Sequence, residues 1–206
     1  MKPYVLIIAC LAHILCGATD CLLSYSKKAR LDLKQIKDPV KMAEMLEGMP
    51  LWQPLASMLL GTLAITLFGF GYLETARYIG GFSHIAGTIL YVSALFFIVP
   101  IVTHHVFCGA VEWIFIKLGR TCEAHKAVME MQKKTIPTMF AGYISLVVFL
   151  VTLFAAVVSG KTGLPQWSCV FNTLVFMILM LPTRIPAKGN AAGALMFAGL
   201  TVMTLI

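Results

Sequence analysis

Charge is what this sequence has least of. Asp, Glu, Lys and Arg supply 12% of its 206 residues and hydrophobic residues 59%, whereas a soluble domain carries about 25% charged residues. The scarcity excludes a water-soluble globule, and the length leaves no room for a soluble domain beside one polytopic bundle. The six cysteines, Cys10, Cys16, Cys21, Cys108, Cys122 and Cys169, include no C-x-x-C pair. Four lie in apolar runs, Cys21 near the end of one and Cys122 in a basic stretch. They read as reduced thiols, without a disulfide framework. H-E-x-x-H and H-x-x-x-H are both missing, which removes the familiar zinc-hydrolase signatures. No internal repeat with matching residues occurs. No A-x-A cleavage site follows the first apolar run, and Lys27, Lys28 and Arg30 come at once. Residues 4–25 therefore read as a retained span, not a cleaved signal.

What the chain does have is long apolar runs. The longest, Ser83 to Gly119, is nearly twice the ~20 residues that cross a bilayer. The expected fold is all-α: a polytopic, six-transmembrane-helix bundle in one domain, residues 1–206, with amphipathic cytoplasmic segments. The spans are placed at about 4–25, 51–73, 83–103, 137–159, 167–181 and 191–206. In the first, Cys10, His13, Gly17, Asp20 and Ser24 fall three and four apart, so one stripe faces protein. Trp52 and Tyr72 sit where interface anchors sit. Ser57 and Gly61 form a small-x-x-x-small pair that allows close helix approach. Pro137 is placed at a helix start. Residues 26–50 are expected as one or two short amphipathic helices on the membrane surface, broken at Pro39. Residues 104–118 are too short for another span and are expected as an interfacial or protruding helix, followed by a basic loop at 117–136.

Net charge is +7. Thirteen of the sixteen Lys and Arg fall in the segments 26–50, 117–136 and 183–190. That bias puts those segments in the cytoplasm and both termini outside the plasma membrane. The positive charge is thus matched to membrane lipids, not nucleic acid, since it lies in short loops between spans. The composition is compatible with a homo-oligomer.

Ionisable residues within a membrane segment are expensive, so each is a candidate for function. The predicted orientation brings Asp20, His104 and His105 to the cytoplasmic end, at the depth of Gln53, Ser57 and Thr138. These are the candidate catalytic residues. His105, Cys108 and Glu112 share a helical face, and with Asp20 they form a donor set suited to zinc with one open position. A zinc-bound water would serve as a hydrolytic nucleophile. Without metal, Asp20 would orient a histidine that moves protons. His13 lies seven residues before Asp20 on the same side, so the two could line an aqueous path. His84 falls near the outer end with Thr88 and Tyr91, and Asn172 reads as a helix–helix hydrogen bond.

GATDCLLSY in the first span, LWQPLASMLLG opening the second, the histidine-bearing continuation after the third and LPQWSCVFN entering the fifth resemble an uncharacterised bacterial family of multi-pass membrane proteins. This chain has Thr19 before the acid, where glycine is expected. The resemblance implies a compact helical membrane protein and carries no established activity. The functions in view are a membrane-embedded hydrolase or proton-handling site on the cytoplasmic side, a small-solute transporter or channel, and a non-catalytic scaffold or assembly subunit.

Overall fold

The computed structural model describes residues 1–32 and 34–206. Among them are seven α-helices: α1 Pro3–Ser24, α2 Pro39–Met45, α3 Trp52–Gly80, α4 His84–Lys117, α5 Cys122–Val158, α6 Thr173–Met180 and α7 Lys188–Met203. A 3-10 helix, Gln166–Val170, precedes α6. Four helices, α1, α3, α4 and α5, are long and apolar enough to cross a membrane. The six expected crossings thus reduce to four helices of full length.

Cross-helix contacts fix the directions. At one end, called here the near end, the Lys2 amide donates to Glu74 Oε1 at 2.7 Å. At the far end, Gln53 Nε2 donates to the Leu22 and Tyr25 carbonyls at 2.8 and 2.6 Å. These are the orphan acceptors that any helix C-terminus leaves, so Gln53 closes α1. The chain then runs up α3, down α4, up α5, down α6 and up α7.

The sequence expectation is corrected in the middle of the chain. Of the two expectations for residues 104–118, the protruding helix holds and the separate interfacial one does not. These residues continue α4 through Pro100. The supposed basic loop is mostly helix, because α5 begins at Cys122 and runs on through Pro137. Pro137 therefore sits inside a helix, not at its start. Thr135 Oγ1 donates back to the Met131 and Gln132 carbonyls at 3.0 and 3.1 Å, the back-bonding that often accompanies a bend in a helix, while the carbonyl that Pro137 leaves without its helical donor is that of Lys133. The turn between α4 and α5 spans only Leu118 to Thr121. Arg120 N bonds Phe115 O at 2.9 Å and Gly119 N bonds Ile116 O at 3.1 Å, the paired bonds of a Schellman stop. Gly119 takes φ 75° there, and Thr121 caps α5 by accepting from Ala124 N.

At roughly 1.5 Å per residue, α4 and α5 are on the order of 50 Å long. They outrun the bundle at the far end, and a small lobe covers the overhang. Asp38 accepts from Val40 N and Lys41 N, and Pro39 occupies the first turn. So Pro39 starts α2 instead of breaking a helix. Met42, Met45, Leu46 and Met49 pack on Val111, Phe115, Ile116 and Val128 as a second core. The apolar side of the 26–50 segment is thereby buried on the α4–α5 hairpin, not spread on a surface. His125 Nε2 donates to Ile36 O at 2.8 Å, and Arg120 Nη2 donates to Leu46 O at 3.0 Å. Lys28 pairs with Glu47 at 2.6 Å, and that hydrogen bond holds the Glu47 carboxyl below its usual range.

Three further readings need revision. The second span, placed at 51–73, runs on as helix to Gly80, so Glu74 and Arg77 lie within the last turns of α3. The stretch 167–181 is not one regular helix: a 3-10 helix gives way at Phe171 and Asn172 to the eight residues of α6. Asn172 accounts for the break, since its side chain accepts from Leu174 N and donates to Leu150 O on α5 at 2.9 Å. Tyr72 is 1% exposed and belongs to the main core, so it is no interface anchor. Trp52 is exposed at the start of α3, as expected.

Candidate functional site

The far half of the bundle holds a connected set of polar side chains from α1, α3, α4 and α7. Asp20 on α1 lies between two partners. Its Oδ2 accepts from Asn190 Nδ2 of α7 at 2.7 Å, and its Oδ1 faces His105 Nδ1 of α4 at 3.5 Å. Asn190 Oδ1 lies 3.1 Å from His13 Nδ1, and His13 Nε2 lies 3.4 Å from the Tyr72 hydroxyl. His105 Nε2 lies 3.0 Å from the Ser57 carbonyl oxygen.

Donor and acceptor capacities settle the directions. A carbonyl oxygen only accepts, so His105 Nε2 carries a proton. Asp20 as acceptor fixes the Asn190 amide with nitrogen toward it, so Asn190 Oδ1 accepts from His13 Nδ1–H. His13 Nε2 then accepts from Tyr72. The run Tyr72 to His13 to Asn190 to Asp20 is thus one-directional. At its end His105 Nδ1 meets Asp20 Oδ1. A bare Nδ1 against an ionised carboxylate would set two lone pairs face to face. One proton between them removes the conflict, on either partner. The 3.5 Å separation is wider than the ~2.8 Å of a tight charge-assisted bond, so the proton is held by one partner at a time.

Two glycines make room for the rings. A Cβ on Gly61 would overlap His105 Nε2, and a Cβ on Gly193 would meet the His13 ring at about 2.5 Å. The Ser57–Gly61 pair does allow close approach, as its spacing predicted, but what approaches is an imidazole. His13 itself is 3% exposed. Its ring stacks on Phe68 at 4.0 Å and 2° and on Phe197 at 5.6 Å. Tyr72 meets Phe97, Phe149 and Phe197 edge-on at 5.0 to 5.2 Å. This aromatic block closes the near side of the polar run.

The run also opens to a cavity of about 490 Å³, bordered by Asp20, His104, His105, Cys108, Tyr143 and Asn190 and reaching His13, Phe68 and Tyr72 of the aromatic block. A second, of about 250 Å³, lies beyond it under the lobe and shares Asp20 and Cys108 with the first. Asp20 keeps 36% of its side chain exposed, against 8% for His105, so the carboxylate is the accessible member of the pair.

The structure brings some expected residues together and separates others. Asp20 and His105 meet. His104 does not join them; it lies 3.5 Å from Cys108 Sγ one turn along α4, and its Nδ1 has no partner among the described residues. Glu112 stands under the lobe, and its Oε2 also has no partner among the described residues. Among the described residues no three His, Cys, Asp or Glu side chains gather as metal ligands. The donor set His105, Cys108, Glu112 and Asp20 shares a side of the bundle without converging. Thr138 bonds only to its own helix, at Thr135 O. His84, Thr88 and Tyr91 border a separate near-end hollow with Glu74 and Arg77, far from Asp20 as anticipated. Asn190 was missed by sequence reasoning. The signal was there: it is a strongly polar residue opening a run of Ala and Gly, three residues before Gly193.

The family comparison adds breadth but no chemistry. A model for a family of unknown function, DUF6796, matches residues 1–206. The chain belongs to this family. No curated protein and no solved structure matches it. The whole-length match makes the bundle and the lobe parts of one family unit.

Ser57, His105 and Asp20 follow the order hydroxyl, imidazole, carboxylate used by nucleophilic hydrolases. The proton arrangement is the reverse of theirs. Ser57 Oγ donates to Thr19 O at 2.9 Å, so it can only accept from His105 Nε2–H, whereas a nucleophile must give its proton to the ring. Ser57 is also 0% exposed and borders neither cavity. A fluorophosphonate probe is expected to leave Ser57 unmodified, and Ser57→Ala is expected to lose only about 1 kcal/mol of stability, the value of one buried hydrogen bond. Labelling at Ser57, read by peptide mass spectrometry, would restore the hydrolase reading.

Proposed function

We propose that this is a six-span membrane protein whose far end faces the cytoplasm and whose Asp20–His105 pair is a proton-handling site. The observation that supports the reading is the 3.5 Å contact of His105 Nδ1 with Asp20 Oδ1, beside a ring whose Nε2 donates to the Ser57 carbonyl. The pair borders a cavity, so its proton exchanges with whatever fills that space. Occupants that donate hydrogen bonds favour ionised Asp20 with imidazolium. Occupants that accept favour the neutral pair. Binding in the cavity and protonation are therefore linked, each shifting the other by the same factor.

For the orientation, the far end is the one that carries the lobe and the turn Leu118–Thr121, and with them most Lys and Arg, as the positive-inside rule expects of a cytoplasmic side. The two short elements count as crossings because the 3-10 helix and α6 descend together and α7 returns beside α1. The block of aromatic rings around His13 supports proton handling over an open channel, since Phe68, Phe97, Phe149 and Phe197 pack around His13 and Tyr72. The scaffold reading accounts for the Asn190–Asp20 bond but leaves the cavity beside it unused.

The test is an infrared titration of the purified protein. A protonated carboxyl band is expected to appear as pH falls, to vanish in Asp20→Asn, and to move its midpoint in His105→Gln. Spectra of Asp20→Asn that match wild type throughout the titration would overturn the proposal.

A further inference from the structure

The smaller cavity contains a second unmet need. Glu112 is 4% exposed, it borders this cavity, and its Oε2 is buried without a hydrogen-bond partner among the described residues. Gln132 of α5 borders the same cavity, and its Oε1 is buried and unpartnered in the same sense. Gln132 Oε1 is an acceptor, Glu112 Oε2 is one when its carboxyl is ionised, and an ionised buried carboxylate without a donor or cation is costly. Two acceptors in the lining of one cavity call for an occupant rich in N–H donors. The mouth has the opposite character. Arg30 is exposed there with its guanidinium 5.6 Å from the Tyr25 ring centroid, and Pro186 is exposed beside it. Asp20 and Ser24 add two more polar side chains to the lining, and the rest is mainly apolar, including Leu23, Ile36 and Val111. At about 250 Å³ the space is smaller than the ~300–1,000 Å³ of drug-sized sites and suits a small polar head.

We propose that this cavity binds a zwitterion bearing a primary ammonium, with the ammonium donating to Glu112 and Gln132 at the floor and an anionic group facing Arg30 at the mouth. The chemistry is that of a phosphoethanolamine group, either as a lipid head or as a free solute. Asp20 borders this cavity as well, but the ammonium is assigned to Glu112 and Gln132, neither of which belongs to the Asp20–His105 pair.

Thermal unfolding of the full chain in nanodiscs tests it, comparing phosphatidylcholine discs with discs that also contain phosphatidylethanolamine. Both lipids carry the phosphate, but only ethanolamine has N–H donors. A third sample adds O-phosphoethanolamine to phosphatidylcholine discs. The expected result is a rise of several degrees with the ethanolamine lipid. Glu112→Gln should abolish the rise while melting no lower than wild type in phosphatidylcholine, and Gln132→Leu, which keeps the carboxylate, should reduce it. A rise with O-phosphoethanolamine as well assigns a free zwitterion; a rise with the lipid alone assigns a lipid head. No rise in either arm, or an equal rise in Glu112→Gln, overturns the proposal. The infrared signature of Asp20 is expected to survive Glu112→Gln, so failure here is distinguishable from failure of the proton-handling site.

Discussion

Phe115→Ala is expected to release the far-end lobe while leaving the main bundle folded. Phe115 is 0% exposed and sits in the second core among Leu46, Val111 and Val128. Truncating a buried phenylalanine costs about 3–5 kcal/mol through lost burial and the cavity left behind. The lobe has little in reserve: one seven-residue helix, the His125 bond to Ile36 O, the Arg120 bond to Leu46 O and an exposed ion pair. Such a unit opens locally before the whole molecule does. Limited trypsin digestion should therefore cut at Lys34, Lys37 and Lys41 much faster in the variant than in wild type. The Asp20–His105 contact, held by the bundle itself, should persist. Unchanged cleavage would mean that the lobe is not held by this core.

Gly61→Ala is the second large effect. The added methyl group occupies the place of His105 Nε2, so either the ring leaves or α3 and α4 separate. Overpacking of this kind costs about 1–3 kcal/mol. The expected signature is specific. His105 loses the Ser57 carbonyl, and the Asp20 proton behaviour changes with it. The penalty should shrink in the His105→Ala background, where the ring is gone, and a double-mutant cycle on thermal unfolding measures that coupling. Additive costs would show that Gly61 serves only helix approach.

The residues that the sequence could and could not place follow a physical pattern. The apolar runs made α1, α3, α4 and α5 legible, because burial in a membrane leaves no other reading of such stretches. The Asp20 stripe was legible through helical spacing, and the pairing with His105 through the expected orientation. The α4–α5 hairpin was not. Its stop and cap signals, Gly119 and Thr121, were present, but the Lys and Arg around them suggested a loop. Prolines misled in the same way: Pro137 reads as a helix start, while here α5 runs on through it. The lobe was hidden because Met42, Met45, Leu46 and Met49 are spaced to cover either a lipid surface or a protein one. Asn190 and Tyr72 escaped because their roles need contacts between residues 59 to 177 positions apart, which no local pattern records.

The most direct measurement is nitrogen-15 NMR of His105 in specifically labelled protein, wild type beside Asp20→Asn. The account predicts a proton on Nε2 in every state, donated toward Ser57, and an Nδ1 that gains its proton only when Asp20 is ionised. Asp20→Asn should convert His105 into a neutral ring with Nε2 protonated. A wild-type ring with Nδ1 protonated and Nε2 bare, or one still protonated at Nδ1 in Asp20→Asn, would contradict the account.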